Sequence, residues 1–324
     1  MGRIGLVLGA GGVVGHAFHA GVLSALAEAT DWDARNAELI VGTSAGSVVG
    51  SVLRAGLAPA DLAAQASGDE LSPEGAAFVA RAERHTPRAP LPPSRPTRLG
   101  FPVMAAPGVL LRVGMQPWQA RVGVLAAAAM PAGTIPTDHV AAALRAVLPA
   151  AWPEGLWITA VSLETGRRAV FGADHTSTAS VATAVAASCA IPGFFAPVSI
   201  DGVRFVDGGA HSPTNADLAA GLGLDLVIVS SPMSVVGRPL RADLAARRLS
   251  RFYLAREATA IRRRNTRVLT FQPTAADLGV MGFNAMDANR VPRVVRQARE
   301  SALRRLERAD VRDRVELISA RQPA

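Results

Sequence analysis

The chain has 324 residues, a formal net charge of +8 and a single cysteine, Cys189. One cysteine excludes an intrachain disulfide and any cysteine-rich zinc site, and no His/Asp/Glu spacing suggests a metal, so neither metal nor cofactor is expected. Hydrophobic residues make up 49% and aromatics 5%. A core built from Ala, Val and Leu is therefore expected, in a chain long enough for one large α/β domain or two ordinary ones. Every basic residue is arginine, and with 30 Gly and 22 Pro this fits a GC-rich coding sequence better than any arginine chemistry. The positive charge permits peripheral contact with an anionic membrane. No basic stretch is interleaved with aromatics, which argues against nucleic acid. No uninterrupted apolar run approaches the ~20 residues of a membrane span. Glycines and His16 interrupt the apolar N-terminus, which argues against a signal peptide. The expected location is cytoplasmic.

In chain order, Ile4–Leu8 reads as a short strand, followed by the glycine loop Gly9–Gly15 and a helix from about His16 to Ala29. A strand Glu38–Val41 leads into Gly42-Thr43-Ser44-Ala45-Gly46 and a helix to about Ala55, and Pro59 opens another. The dense prolines of 84–108 disfavour regular structure, and 109–150 looks helical, with Trp118 and Met130 among its larger apolar groups. Strands are expected at Leu156–Ser162 and Arg168–Phe171, then a helix Thr178–Ala190. Strands Val198–Ile200 and Arg204–Val206, helix Asn215–Ala220 and strand Asp225–Ser230 follow. An arginine-studded helix from about Leu240 to Arg264, a strand Val268–Phe271 and a helix Asn289–Glu307 complete the series. The βαβ alternation predicts a three-layer α/β/α fold around a mostly parallel sheet. The chain reads as one domain over 1–324, with a proline-rich and helical insertion or lid at 70–150 and a helical region at 275–324.

Three clusters carry chemistry. A Gly-x-Ser-x-Gly turn between strand and helix would push the Ser44 hydroxyl out of the chain, with Gly42 and Gly46 clearing room on either side. The competing reading is a glycine-rich turn with Ser44 as a helix N-cap. In the loop after the first strand, the bare amides of Gly11 and Gly12 could converge on a developing oxyanion. The same loop could instead be a dinucleotide fingerprint, although its last glycine, Gly15, comes one residue late. The third cluster is Asp207-Gly208-Gly209, a carboxylate at a strand end, well placed to meet another strand-end residue or to close an Asx turn on its own backbone.

Taken together, the clusters resemble the patatin-like phospholipase family. The resemblance covers the Gly9–Gly15 loop, His19-Ala20-Gly21-Val22-Leu23, Gly42–Gly46, Ala187–Val198 and Asp207–Gly209. It implies Ser44 as nucleophile and Asp207 as its base, in a Ser-Asp dyad with no obligatory histidine, and Gly11 and Gly12 as oxyanion donors. It implies a lipid or other ester as substrate and cleavage through an acyl-enzyme. Two positions depart from the family pattern: Ala10 stands where glycine is usual, and Val14 where a basic residue is common.

The remaining candidates have quieter readings. His16 and His19 lie beside the glycine loop, where His19 is expected to pack or cap. His211 follows Asp207 closely, and no histidine comes after it, unlike in a Ser-His-Asp hydrolase. Arg241, Arg247, Arg248, Arg251, Arg262, Arg263 and Arg264 either line a solvated helix face or offer a surface to anionic lipid. A nucleotide-binding Rossmann-like enzyme and a non-catalytic lipid-binding protein remain the alternatives to a serine acyl hydrolase.

Overall fold

The computed structural model describes residues 2–84, 104–106, 108–109, 121–174, 178–237 and 244–319. Eight strands form one sheet: β1 Ile4–Leu8, β2 Leu39–Thr43, β3 Leu156–Ser162, β4 Arg168–Phe171, β5 Val198–Ile200, β6 Val203–Asp207, β7 Leu226–Ser230 and β8 Arg267–Phe271. Their pairing runs β5-β6-β3-β2-β1-β7-β8, with β4 also on β3. β3, β2, β1, β7 and β8 are parallel throughout, while β4 and β6 run antiparallel to β3.

The side-chain period of two assigns the two faces. Leu6 and Leu8 of β1, Ile228 of β7 and Leu269 of β8 enter one large core. Val7, Val227, Val229 and Val268 enter the other. The first core is closed by α1 (Gly12–Thr30), α2 (Ala45–Arg54) and, further along the chain, a helix at Val291–Leu306; the second is closed by a helix at Leu244–Arg262. Strands buried on both faces explain the unbroken apolar runs in the sequence. This is the three-layer α/β/α arrangement with a mostly parallel sheet.

The other helices are α3 Pro59–Ser67, α4 Pro73–Arg84, α5 Val122–Ala129, α6 Asp138–Arg145, α7 Val181–Ser188, α8 Leu244–Arg262, α9 Ala275–Met281, α10 Val291–Leu306 and α11 Arg312–Ser319. Most of the proline-rich stretch 84–108, Trp118 and Arg241 lie outside the described residues. Two expectations are corrected. The first helix starts at Gly12, within the glycine loop, because positive φ at Gly12 lets the chain turn directly into the helix. The helix expected at Asn215–Ala220 is only a 3-10 turn, Ala216–Ala219, because Asn215 is left-handed at φ 51 and cannot belong to an α-helix.

α1 and α10 pack so closely that a Cβ at Gly21 would lie 2.4 Å from the carbonyl oxygen of Val295. Among the described residues, no helix is long and apolar enough to cross a membrane.

Candidate active site

Ser44 sits between β2 and α2 with φ 52 and ψ −120. Positive φ in a residue with a Cβ costs of order 1–3 kcal/mol and survives only where surroundings hold it. Here they do. The Ser44 N–H donates to Ser188 Oγ at 2.8 Å, and its carbonyl accepts from the Ser47 N–H at 2.8 Å and the Ser47 hydroxyl at 2.6 Å. The flanking glycines are required by space. A Cβ at Gly42 would stand 2.5 Å from Ser47 Cα, and one at Gly46 would stand 2.0 Å from the Leu8 carbonyl oxygen. Ser44 occupies the N-cap position of α2, yet its side chain caps no amide. The hydroxyl is left for another partner.

The sheet brings the Asp207 carboxylate towards it. β3 pairs with β2 and then with β6, so Thr43, the last residue of β2, lies opposite Thr159, and Asp207, the last residue of β6, lies opposite Ala160. The two strand ends therefore meet at neighbouring residues of β3. The Asp207 carboxyl lies close enough to the Ser44 side chain for that hydroxyl to favour its charged form, and its Oδ1 accepts from the Gly209 N–H at 2.7 Å. The Asx turn and the contact with Ser44 thus coexist. Ser44 and Asp207 expose 4% and 6% of their surfaces. Burial pushes the Asp207 carboxyl up to about 6, against the nearby Ser44 hydroxyl and the Gly209 N–H, which favour the charged form.

The glycine loop closes a third side. Gly46 packs on the end of β1 at Leu8, and a Cβ at Gly209 would stand 3.3 Å from Ala10 Cβ of the loop. Gly9 N–H donates to Ser230, Ala10 N–H to Pro213, Val14 N–H to Ala285 and Gly15 N–H to Gly11. The amides of Gly11, Gly12 and Val13 have no acceptor among the described residues. Ala10 has no positive φ, so the missing glycine costs nothing there. The Val14 side chain is buried in the core and faces away from solvent.

His19 fixes this loop from beneath. It is fully buried, with Nε2 2.8 Å from the Gly9 carbonyl and Nδ1 2.8 Å from Ser230 Oγ. A carbonyl only accepts, so Nε2 carries the proton and Nδ1 accepts from the serine hydroxyl. Burial holds the ring down to about 3, so it stays neutral. His16 and His211 are likewise held down to about 4, chiefly by burial. None is placed against Ser44 by any hydrogen bond between described residues.

Two further groups lie near the pair. Cys189 lies beside it, with its thiol interacting with Ser47 and Ser44. Burial, reinforced by the charge of Asp207, pushes the thiol up to about 12, so it stays protonated. Asn215, placed at a helix start by sequence, is instead a buried junction. Its Nδ2 is 2.7 Å from the Ser212 carbonyl, 3.1 Å from Thr43 Oγ1 and 3.3 Å from the Gly208 carbonyl, and Thr43 Oγ1 is 2.9 Å from Thr159 Oγ1. One amide thus ties the residue before Ser44 to the residue after Asp207. Arg168 donates to Asn215 Oδ1 at 3.1 Å while pairing with Asp217 at 2.7 Å. Glu257 of α8 holds the same loop, accepting from Thr214 Oγ1 at 2.6 Å and Ala216 N–H at 2.9 Å. An asparagine eight residues past Asp207 was visible in the sequence, but nothing local marked its side chain as turned inward.

The fold and the site together define an α/β protein with a serine on a strained strand-to-helix turn, facing a buried carboxylate. The chain belongs to the patatin-like phospholipase family, whose model matches residues 6–220. Among solved structures it is similar to VipD from Legionella pneumophila, at 14% identity and a TM-score of 0.44, over 94% of this chain and 67% of that one. No curated protein matches the chain.

Proposed function

We propose that the protein is a serine acyl hydrolase that cleaves carboxylic esters of lipids. The carrying observation is the strained, buried Ser44, its hydroxyl free of any capping bond, held at a strand end beside the one that carries the buried Asp207. Ser44 Oγ attacks the ester carbonyl as Asp207 takes its proton. The tetrahedral oxyanion accepts from the amides of Gly11 and Gly12, at the start of α1. Collapse expels the alcohol, which receives the proton from Asp207, and leaves an acyl-Ser44 ester. Water then attacks that ester with Asp207 again as base, and the carboxylic acid departs as Ser44 regains its proton. Carboxylate of ordinary pKa is a weak base for a hydroxyl; burial brings Asp207 closer to working pH.

Aliphatic substrate is favoured by the side chains around the loops. Phe194, Met130, Phe283 and Met286 are all exposed. Met286 Sδ would lie 3.0 Å from a Cβ at Gly12, and the Met130 methyl packs at Gly193, a few residues beyond Ser188 and Cys189. The dinucleotide reading fares worse: β2 ends in Thr43 and is followed by Ser44, with no carboxylate where a ribose would need one. A fluorophosphonate tests the proposal. Wild type is expected to label at Ser44 and to hydrolyse medium- and long-chain esters, while Ser44→Ala does neither. Folded wild type that neither labels nor turns over ester, yet binds lipid, would make this a non-catalytic member.

A further inference from the structure

A cleft of about 500 Å³ opens between α1, β8 and α10. None of its lining residues belongs to the dyad, the glycine loop or the elbow. Phe18 lies six residues along α1 from Gly12, which is about 9 Å of helix, and Val22 lies a further turn on. The volume is within the range of about 300–1,000 Å³ that small-molecule sites occupy.

Its lining is divided by chemistry. Phe18, Val22, Phe271 and Ala298 form an apolar floor. Arg304, Arg305 and Arg308, from the last turn of α10 and just beyond it, gather at its edge. Arg305 and Arg308 share one carboxylate, Asp310, at 2.8 Å each, which holds two guanidiniums together and leaves one positive charge uncompensated. Arg308 uses only its Nε in that pair, so its two terminal nitrogens remain able to donate. These ion pairs are exposed, and such pairs are exchanged at little cost. Gln272 also lines the cleft, and its Oε1 is buried with no hydrogen-bond partner among the described residues. Turning that amide over presents Nε2 at the same place, converting an orphan acceptor into a donor.

An apolar floor, an arginine edge and a spare amide donor match an anionic amphiphile. We propose that this cleft binds a long-chain carboxylate, its alkyl chain on the Phe18–Val22–Phe271 floor and its head group on the two terminal nitrogens of Arg308; Arg304 is already held by Glu300 and Ser301. The choice of a carboxylate rests on the acyl-hydrolase reading, because that reaction releases one; the cleft's own chemistry does not depend on that reading. The site would then hold the enzyme's product outside its catalytic centre.

Dodecanoate, titrated calorimetrically below its micelle concentration into the full chain carrying Ser44→Ala, tests this without turnover. Saturable binding is expected, with dodecanamide about tenfold weaker. Arg308→Glu should weaken dodecanoate about tenfold and abolish its advantage over dodecanamide, and Ser301→Trp, which fills the mouth, should do the same by bulk. Circular dichroism checks that both variants fold. No binding by the folded protein, or binding that both variants leave untouched, overturns the proposal; the latter would assign the ligand to the Ser44 site. A dimer that Ser301→Trp dissociates, with no dodecanoate bound, would give the cleft to a second copy of the chain. Failure of fluorophosphonate labelling with dodecanoate still bound would remove the hydrolase reading and leave the cleft.

Discussion

Asp207→Asn should stabilise the protein at neutral pH while abolishing its activity. Burial raises the Asp207 carboxyl from 3.8 to about 6 in the folded chain. An acid whose folded pKa is raised contributes nothing unfavourable below the unfolded value, where both states are protonated. Between pH 4 and 6 the unfolded state releases its proton and the folded state does not, so stability falls as pH rises. Above pH 6 the full cost is present, about 3 kcal/mol for a shift of about two units. Asparagine is neutral at every pH and fits the same contacts: its Oδ1 can accept from Gly209 N–H, and its Nδ2 can donate to Ser44 Oγ. The variant should therefore melt about 4 °C above wild type at pH 8 and close to it at pH 4, taking the entropy of unfolding for a chain of this length. Differential scanning calorimetry across pH 4–8 reads the difference. In parallel, wild-type kcat/KM for a soluble ester should fall about tenfold per pH unit below about 6. A variant less stable than wild type by the same amount at both pH values would mean that Asp207 acts through its hydrogen bonds and not its charge. An activity limb centred near pH 4 would refute the raised carboxyl.

Further perturbations separate strain, space and position. Ser44→Gly should raise stability by about 1 kcal/mol by relieving the positive φ, whereas Ser44→Ala, which keeps a Cβ at φ 52, should not; urea melts of the two inactive variants compare them. Gly46→Ala should prevent accumulation of folded protein, because its Cβ would stand 2.0 Å from the Leu8 carbonyl oxygen, which β1 cannot move. Gly12→Ala would meet the Ala285 carbonyl at 2.7 Å in a left-handed conformation, so kcat should drop more than stability, measured by ester hydrolysis beside a thermal melt. Asn215→Ala should cost about 10²-fold in kcat with KM little changed, since it unties Thr43 from Gly208 without touching substrate.

Legibility in the sequence followed the range of the interactions. β3 and β4 were readable to the residue, because alternation and apolar runs are local signals. The strand-to-helix turn at Gly42–Gly46 was readable because a sharp turn leaves glycines at fixed offsets. The start of α1 at Gly12 was not, since glycine is a poor helix former and only the packing of α1 against α2 and α10 overrides that preference. Asn215 was misread for a related reason. Its left-handed backbone and its bonds to Thr43 and Gly208 join segments far apart in the chain, and no window of sequence contains them.

The environment of Asp207 follows from Val14 and its neighbours. The cause of the raised Asp207 carboxyl is burial, and no positive charge offsets it. The nearby histidines are held neutral by the same burial, and Val14, where a basic residue is common in the family, turns into the core. A cation there would pull Asp207 down, making it a weaker base, while strengthening the hold on an oxyanion. On the proposed mechanism this chain would take the opposite setting: a carboxylate basic enough to work near neutrality, and an oxyanion left to the amides of the glycine loop. Val14→Arg should accordingly shift the acidic limb of kcat/KM below pH 6, provided its guanidinium escapes the core towards Gly11 and Gly12. An unchanged limb in a folded, active variant would show that charge at this position does not reach Asp207.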